Sequence, residues 1–226
     1  MLGAHGAENQ SVLNIHEDLS TEATTQLPTE VEFRKESISD LELNMLRIIA
    51  GKYRGRKIAT GKHLSARPTM SIVREAIFSI LSSRKPIYNL NVLDLFCGGG
   101  SLAFEALSRG AKHAFMVDSD YYNLQFPKKT AEDFGVTGNV TLICCSADKL
   151  PQPISKCDIV FIDPPYNSNL IASTLDGLIN SDWLNNDALI VLEIKKNEAF
   201  EYNKNFNVIL ERTYGVAKII FLSPST

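Results

Sequence analysis

The run Asp158-Ile159-Val160-Phe161-Ile162 is apolar on both faces and leads directly into Asp163-Pro164-Pro165-Tyr166. A strand with no polar face has to be covered on both sides, which places it at the centre of a parallel sheet flanked by helices. The two prolines end its hydrogen-bonding ladder, because neither has an N–H to donate.

The remaining periodicities fit that frame. Val92–Phe96 reads as a strand, followed by a glycine turn and a helix over Ser101–Arg109. Ala114–Val117 is the next strand, then a helix over Tyr121–Asp133, a strand over Val140–Cys144, a helix over residues 169–179 and a strand over Ala188–Ile194. Phe206–Glu211 and Val216–Leu222 form a closing hairpin. Upstream, Leu46–Ala50 and Lys57–Ala59 flank a glycine-containing turn, a second hairpin. Pro68-Thr69 then opens a helix whose apolar face is Ile72, Val73, Ala76, Ile77, Ile80 and Leu81, with Thr69 as N-cap. Alternating elements of this kind predict an α/β fold with a mostly parallel sheet and helices on both faces.

Charge is distributed unevenly. Residues 1–45 hold nine acids and two bases, whereas residues 46–67 hold Arg47, Lys52, Arg54, Arg56, Lys57, Lys62 and Arg67 and no acid. The first stretch predicts a disordered acidic extension over residues 1–45. Met45, beside the first sequence that reads as folded, is an expected alternative start. The second predicts a basic hairpin element over residues 46–66 suited to nucleic-acid phosphates, through Arg47, Lys52, Arg54, Arg56, Lys57 and the adjoining Arg67. Residues 67–226 are then the main domain. The chain has neither a long apolar run nor a secretory signal pattern, so a cytoplasmic protein that does not meet the membrane is expected, as a monomer. Four cysteines without a CxxC pair and four scattered histidines predict free thiols and no metal site.

Three motifs carry chemistry. Asp94-Leu95-Phe96-Cys97-Gly98-Gly99-Gly100 runs from a strand end into a helix, where open α/β sheets bind ligands. No Gly-Lys-Ser/Thr follows, and a carboxylate before the glycines repels phosphate but suits a cationic ligand such as a sulfonium compound. Asp118 ends the next strand, about 20 residues on, where an acid can accept both hydroxyls of a ribose. Asp163-Pro164-Pro165-Tyr166 offers rigid acceptors and an aromatic face. Acceptors holding both protons of an exocyclic base amine would localise its lone pair toward an incoming methyl group, with Tyr166 stacking on the base.

Together these motifs resemble the class I, Rossmann-like methyltransferases that modify amino groups. Arg47–Arg56, Arg67-Pro68-Thr69, Val73–Phe78 and Glu105–Ala111 extend the resemblance to the bacterial 16S rRNA (guanine-N2)-methyltransferase family. The resemblance implies a seven-stranded sheet, S-adenosylmethionine as methyl donor with S-adenosylhomocysteine as product, and a guanine N2 of 16S rRNA, or of the small ribosomal subunit, as acceptor. It implies Asp94, Phe96, Cys97, Gly98, Gly100, Asp118, Ser146 and Ala147 as cofactor contacts, Asp163, Pro164, Pro165 and Tyr166 as catalytic, and the basic hairpin as an element for RNA contact. The chain departs from the family with Cys97 and Phe104 at usually smaller positions, and with Ser146 where an acid or amide is common. A DNA adenine-N6 or cytosine-N4 methyltransferase and a non-catalytic RNA-binding assembly factor are the competing readings.

Overall fold

The computed structural model describes residues 12–13, 44–60, 68–165, 169–198 and 204–225. In chain order the elements are β1 (Val12–Leu13), β2 (Asn44–Arg47), β3 (Lys57–Thr60), α1 (Pro68–Arg84), β4 (Asn91–Leu95), α2 (Ser101–Ser108), β5 (His113–Asp118) and α3 (Tyr121–Phe134). They continue as β6 (Val140–Cys144), β7 (Cys157–Ile162), α4 (Ile171–Asn180), β8 (Leu184–Lys195), β9 (Phe206–Tyr214) and β10 (Ala217–Pro224).

The expected seven strands lie in the order β6-β5-β4-β7-β8-β10-β9, and β1 adds an antiparallel edge beside β6. Strands β6 to β8 run parallel, and β10 with β9 forms the antiparallel closing hairpin. Val12 and Leu13, and also Asn44 and Met45, which open β2 opposite Thr60 and Ala59, fall within the stretch expected to be disordered; the rest of residues 1–43 lies outside the described residues. Helix α1 begins at Pro68, so Thr69 sits inside its first turn rather than capping it. Proline suits that position because its φ is preset and its missing N–H is not needed there.

Strand β7 is as central as its composition requires. Ile159 and Phe161 face one core layer with Phe78 and Leu81 of α1 and Ala103 and Phe104 of α2; Val160 and Ile162 face the other with Leu175 and Leu178 of α4. Trp183 is fully buried in that second layer and donates its indole N–H to the Pro151 carbonyl at 2.8 Å.

The basic hairpin is part of the first layer rather than an appendage. Leu46, Ile48, Tyr53 and Ile58 are buried, each contributing about 1.5–3 kcal/mol if fully removed from water. Buried Glu105 of α2 accepts from the Ile49 and Ala50 amides at 2.8 and 3.0 Å and pairs with Arg109 at 2.9 Å. Ser108 accepts from the Tyr53 amide at 2.9 Å, and Arg74 donates to the Arg47 carbonyl at 2.6 Å. Gly51 takes φ 84° against Ser108, where a Cβ would stand 1.9 Å from a backbone oxygen. Among the described residues no helix is long and apolar enough to cross a membrane.

Candidate active site

The chain proceeds from β4 to β5 and β6 on one side of the sheet, then returns to β7 and β8 on the other. The gap between β4 and β7 is therefore the switch point at which such sheets bind ligands, beyond the carboxyl ends of their strands.

After β4 the backbone turns through Phe96 at φ 61°, Gly98 at 50° and Gly100 at 72°. Glycine accepts this left-handed geometry freely, but at Phe96 it costs of order 1–3 kcal/mol, strain that concentrates at functional sites. Two acids hold the turn. Asp94 is buried beneath it and accepts from the Ala103 amide at 3.1 Å, capping α2 in place of the side chain that Gly100 lacks. Burial, and then the charges of Asp163 and Asp118, push the Asp94 carboxyl well above the ordinary range. Asp118 accepts from the Gly98 amide at 2.9 Å with one oxygen, and from the Asp120 amide and the Asn123 side chain with the other. Asp120, a second acid two residues on, caps α3 by accepting from the Tyr122 amide at 2.8 Å.

Ile162 of β7 pairs with Leu95 on one side and Leu192 on the other, so Asp163 emerges between the glycine turn and Glu193. Asp163 is half-buried, Pro164 buried and Pro165 exposed; Tyr166 lies outside the described residues. Burial raises the Asp163 carboxyl to about 6.

Two clefts meet at Asp163. One is lined by Asp94, Phe96, Cys97 and Gly99 together with Leu46 and Thr60 of the hairpin. The other is lined by Arg74, Ile77 and Glu193. Ser101, Leu102 and Asp163 belong to both. Of the expected cofactor residues, Gly98, Gly100, Asp118, Ser146 and Ala147 line neither cleft. Ser146 bonds to Asp148 at the end of β6, with Ala147 buried beside it. A cleft walled by carboxylates, with glycines allowing close backbone approach, fits a sulfonium ligand bearing an α-amino group better than a phosphate.

On the outer face of the hairpin Arg47, Lys52, Arg54, Arg56 and Lys57 are exposed; Arg67 lies outside the described residues. Tyr53, the one aromatic interleaved with them, is buried against Phe134 at 5.0 Å and has no free face for a base. The Arg56 guanidinium lies over Phe134 at 4.0 Å, so this residue also fastens the hairpin to α3. All four cysteines are free, and among the described residues no cluster of three acids, histidines or cysteines is arranged to hold a metal ion.

The sheet order and switch-point site define a class I methyltransferase, and the comparisons agree. The solved structure of an Escherichia coli methyltransferase superposes with a TM-score of 0.70 at 30% identity, over 81% of this chain and 99% of the other. A family model described as conserved hypothetical protein 95 matches residues 46–223. The ribosomal RNA small subunit methyltransferase D of Haemophilus influenzae is 36% identical over 180 residues, 76% of this chain and 90% of the relative. An uncharacterized methylase of Rickettsia prowazekii is 33% identical over 233 residues, 80% of this chain and 99% of the relative. The chain belongs to this family, the 16S rRNA (guanine-N2)-methyltransferases among the S-adenosylmethionine-dependent enzymes of class I.

Sequence reasoning missed the second cleft. Its signals were present: Glu193 interrupts an apolar strand, and Arg74 and Glu105 lie on otherwise apolar helix faces. A charge in such surroundings requires either a partner or a task.

Proposed function

We propose that the chain methylates the exocyclic N2 amine of a guanine in 16S ribosomal RNA. The observation that carries this reading is the single acid, Asp163, that lines both clefts at the switch point. The likeness to the ribosomal RNA small subunit methyltransferase D of Haemophilus influenzae supports the choice of RNA.

In this reading Asp94, Phe96, Cys97, Gly98 and Gly100 hold the donor in the first cleft. Asp118 accepts a ribose hydroxyl with the one site left after the Gly98, Asp120 and Asn123 bonds, since a carboxylate has about four lone-pair sites. Ser146 and Ala147 contact the adenine. When bound, S-adenosylmethionine supplies an electrophilic methyl on sulfur and is left as S-adenosylhomocysteine. Asp163 and the carbonyls fixed by Pro164 and Pro165 accept the amine protons, turn its lone pair toward the first cleft and disperse the charge that develops on nitrogen. The proton then leaves to Asp163 or water. Tyr166 stacks on the base, which has to be unstacked from its neighbours to reach the cleft. Arg47, Lys52, Arg54, Arg56, Lys57 and Arg67 draw the RNA backbone toward the hairpin.

Labelled methyl transfer to small subunits, free rRNA and DNA, followed by nucleoside analysis, tests this directly. N2-methylguanosine in RNA is expected; label on DNA adenine or cytosine, or none anywhere, would refute it. Asp118→Ala is expected to weaken S-adenosylmethionine binding by about tenfold or more in calorimetry, the loss of hydrogen bonds to a charged group. Unchanged affinity would assign the ribose to Asp120.

A further inference from the structure

Within β8, Ala188 to Leu192 and Ile194 are all buried apolar residues, and Glu193 alone breaks the run. The pairing of Ile162 with Leu192 sets the next two residues, Asp163 and Glu193, side by side on neighbouring parallel strands, whose spacing is about 4.8 Å. Both line the second cleft with Arg74, Ser101 and Leu102. Among the described residues neither carboxyl accepts a hydrogen bond or forms an ion pair; the nearby Arg74 donates to the Arg47 carbonyl and lies 3.9 Å from Glu105, with its buried Nε making no hydrogen bond. Burial raises the Glu193 carboxyl to about 8, and the charge of Asp163 contributes. Adjacent like charges without partners weaken a sheet, and a fold that keeps them is retaining a destabilised arrangement of the kind found at working sites.

We infer that Glu193 is a specificity-determining residue, accepting the ring N1–H of the target guanine while Asp163 holds its 2-amino group. This rests on the reading of guanine N2 as the methyl acceptor. The chemistry separates guanine from the other bases that carry exocyclic amines. In guanine the 2-amino group is flanked by the N1–H donor, so two neighbouring carboxyls receive donors from one base edge. In adenine and cytosine the corresponding ring nitrogen is unprotonated, so it offers Glu193 no donor. The arrival of N–H donors also favours the ionised form that burial disfavours.

The test uses the full chain and small subunits carrying either guanine or 2-aminopurine at the position that nucleoside mapping identifies. 2-Aminopurine retains the 2-amino group but has no N1–H. Glu193→Ala is expected to lower kcat/KM on guanine by about ten- to hundredfold. It should leave S-adenosylmethionine affinity unchanged and raise the melting temperature at neutral pH. The sign follows from linkage: a carboxyl whose pKa rises on folding costs stability once pH exceeds its unfolded value, and removing it lifts that cost. Glu193→Gln, whose amide carbonyl still accepts N1–H, should restore most of the activity. On 2-aminopurine the wild type and Glu193→Ala should perform alike.

Wild-type efficiency of Glu193→Ala on guanine would overturn the inference. So would an equal loss on both bases, or a lower melting temperature without recovery in Glu193→Gln, because either marks a structural role. Wild-type label on adenine would overturn the proposed reaction as well; label on guanine with an unaffected Glu193→Ala would overturn this inference alone.

Discussion

Asp163→Ala is expected to lower kcat by about 10²–10³-fold, the usual loss when a preorganised hydrogen-bonding group is removed from the reacting centre. Affinity for S-adenosylmethionine, measured by calorimetry, should remain close to that of the wild type, because the glycine turn is held by Asp94 and Asp118 rather than by Asp163. The same residue gives the acid limb of the pH profile. Its carboxyl is raised to about 6 by burial, so it retains a proton to higher pH than an exposed aspartate. A protonated carboxyl loses acceptor capacity, and the neighbouring Glu193, raised to about 8, has to ionise as well to accept, so turnover should fall as pH drops through the range from about 8 to about 6. Asp163→Asn retains one acceptor oxygen and should keep more turnover than Asp163→Ala. Near-normal turnover in Asp163→Ala would remove this residue from the mechanism.

Glu105→Ala carries the second large effect, and it falls on stability. This fully buried carboxylate satisfies two hairpin amides and Arg109; removing it leaves two part-buried amides and a partly exposed guanidinium without their acceptor. The expected cost is about 3–5 kcal/mol, read as a lower midpoint in urea unfolding. Cleavage by protease within residues 44–60 should accelerate well before global unfolding, because the hairpin is docked through that carboxylate. Glu105→Gln, which keeps one acceptor for the amides, should lose less. A variant with unchanged midpoint and protease resistance would show that the hairpin's apolar contacts suffice.

Much of the fold was legible because its signals are local. The doubly apolar strand ending at Ile162, the glycines after Leu95 and the alternation of periods are consequences of burial and turn chemistry, which act on neighbouring residues. Legibility ended where partners are distant in sequence. Nothing local in Tyr53 announces that it packs under Phe134 instead of presenting a face to RNA, and nothing in Thr60 announces that it closes over Gly99. Thr69 was read as a cap because its side chain suits one, whereas Pro68 fixes the helix start one residue earlier. In the site, Asp94 was read as a ligand-facing acid; its second task, capping α2 through Ala103, depends on a contact nine residues away. Asp163 was recognisable from its prolines, but its neighbour Glu193 entered only through strand register.

A crystal structure of the chain with S-adenosylhomocysteine and a target-site RNA fragment tests the account most directly. It should place the thioether sulfur in the cleft between Asp94 and Phe96, a guanine in the cleft beside Arg74 and Glu193, and the Asp163 carboxylate within hydrogen-bond distance of the 2-amino group. A carboxylate of Asp163 turned away from both ligands, or a second cleft with no room for an aromatic ring, would contradict it.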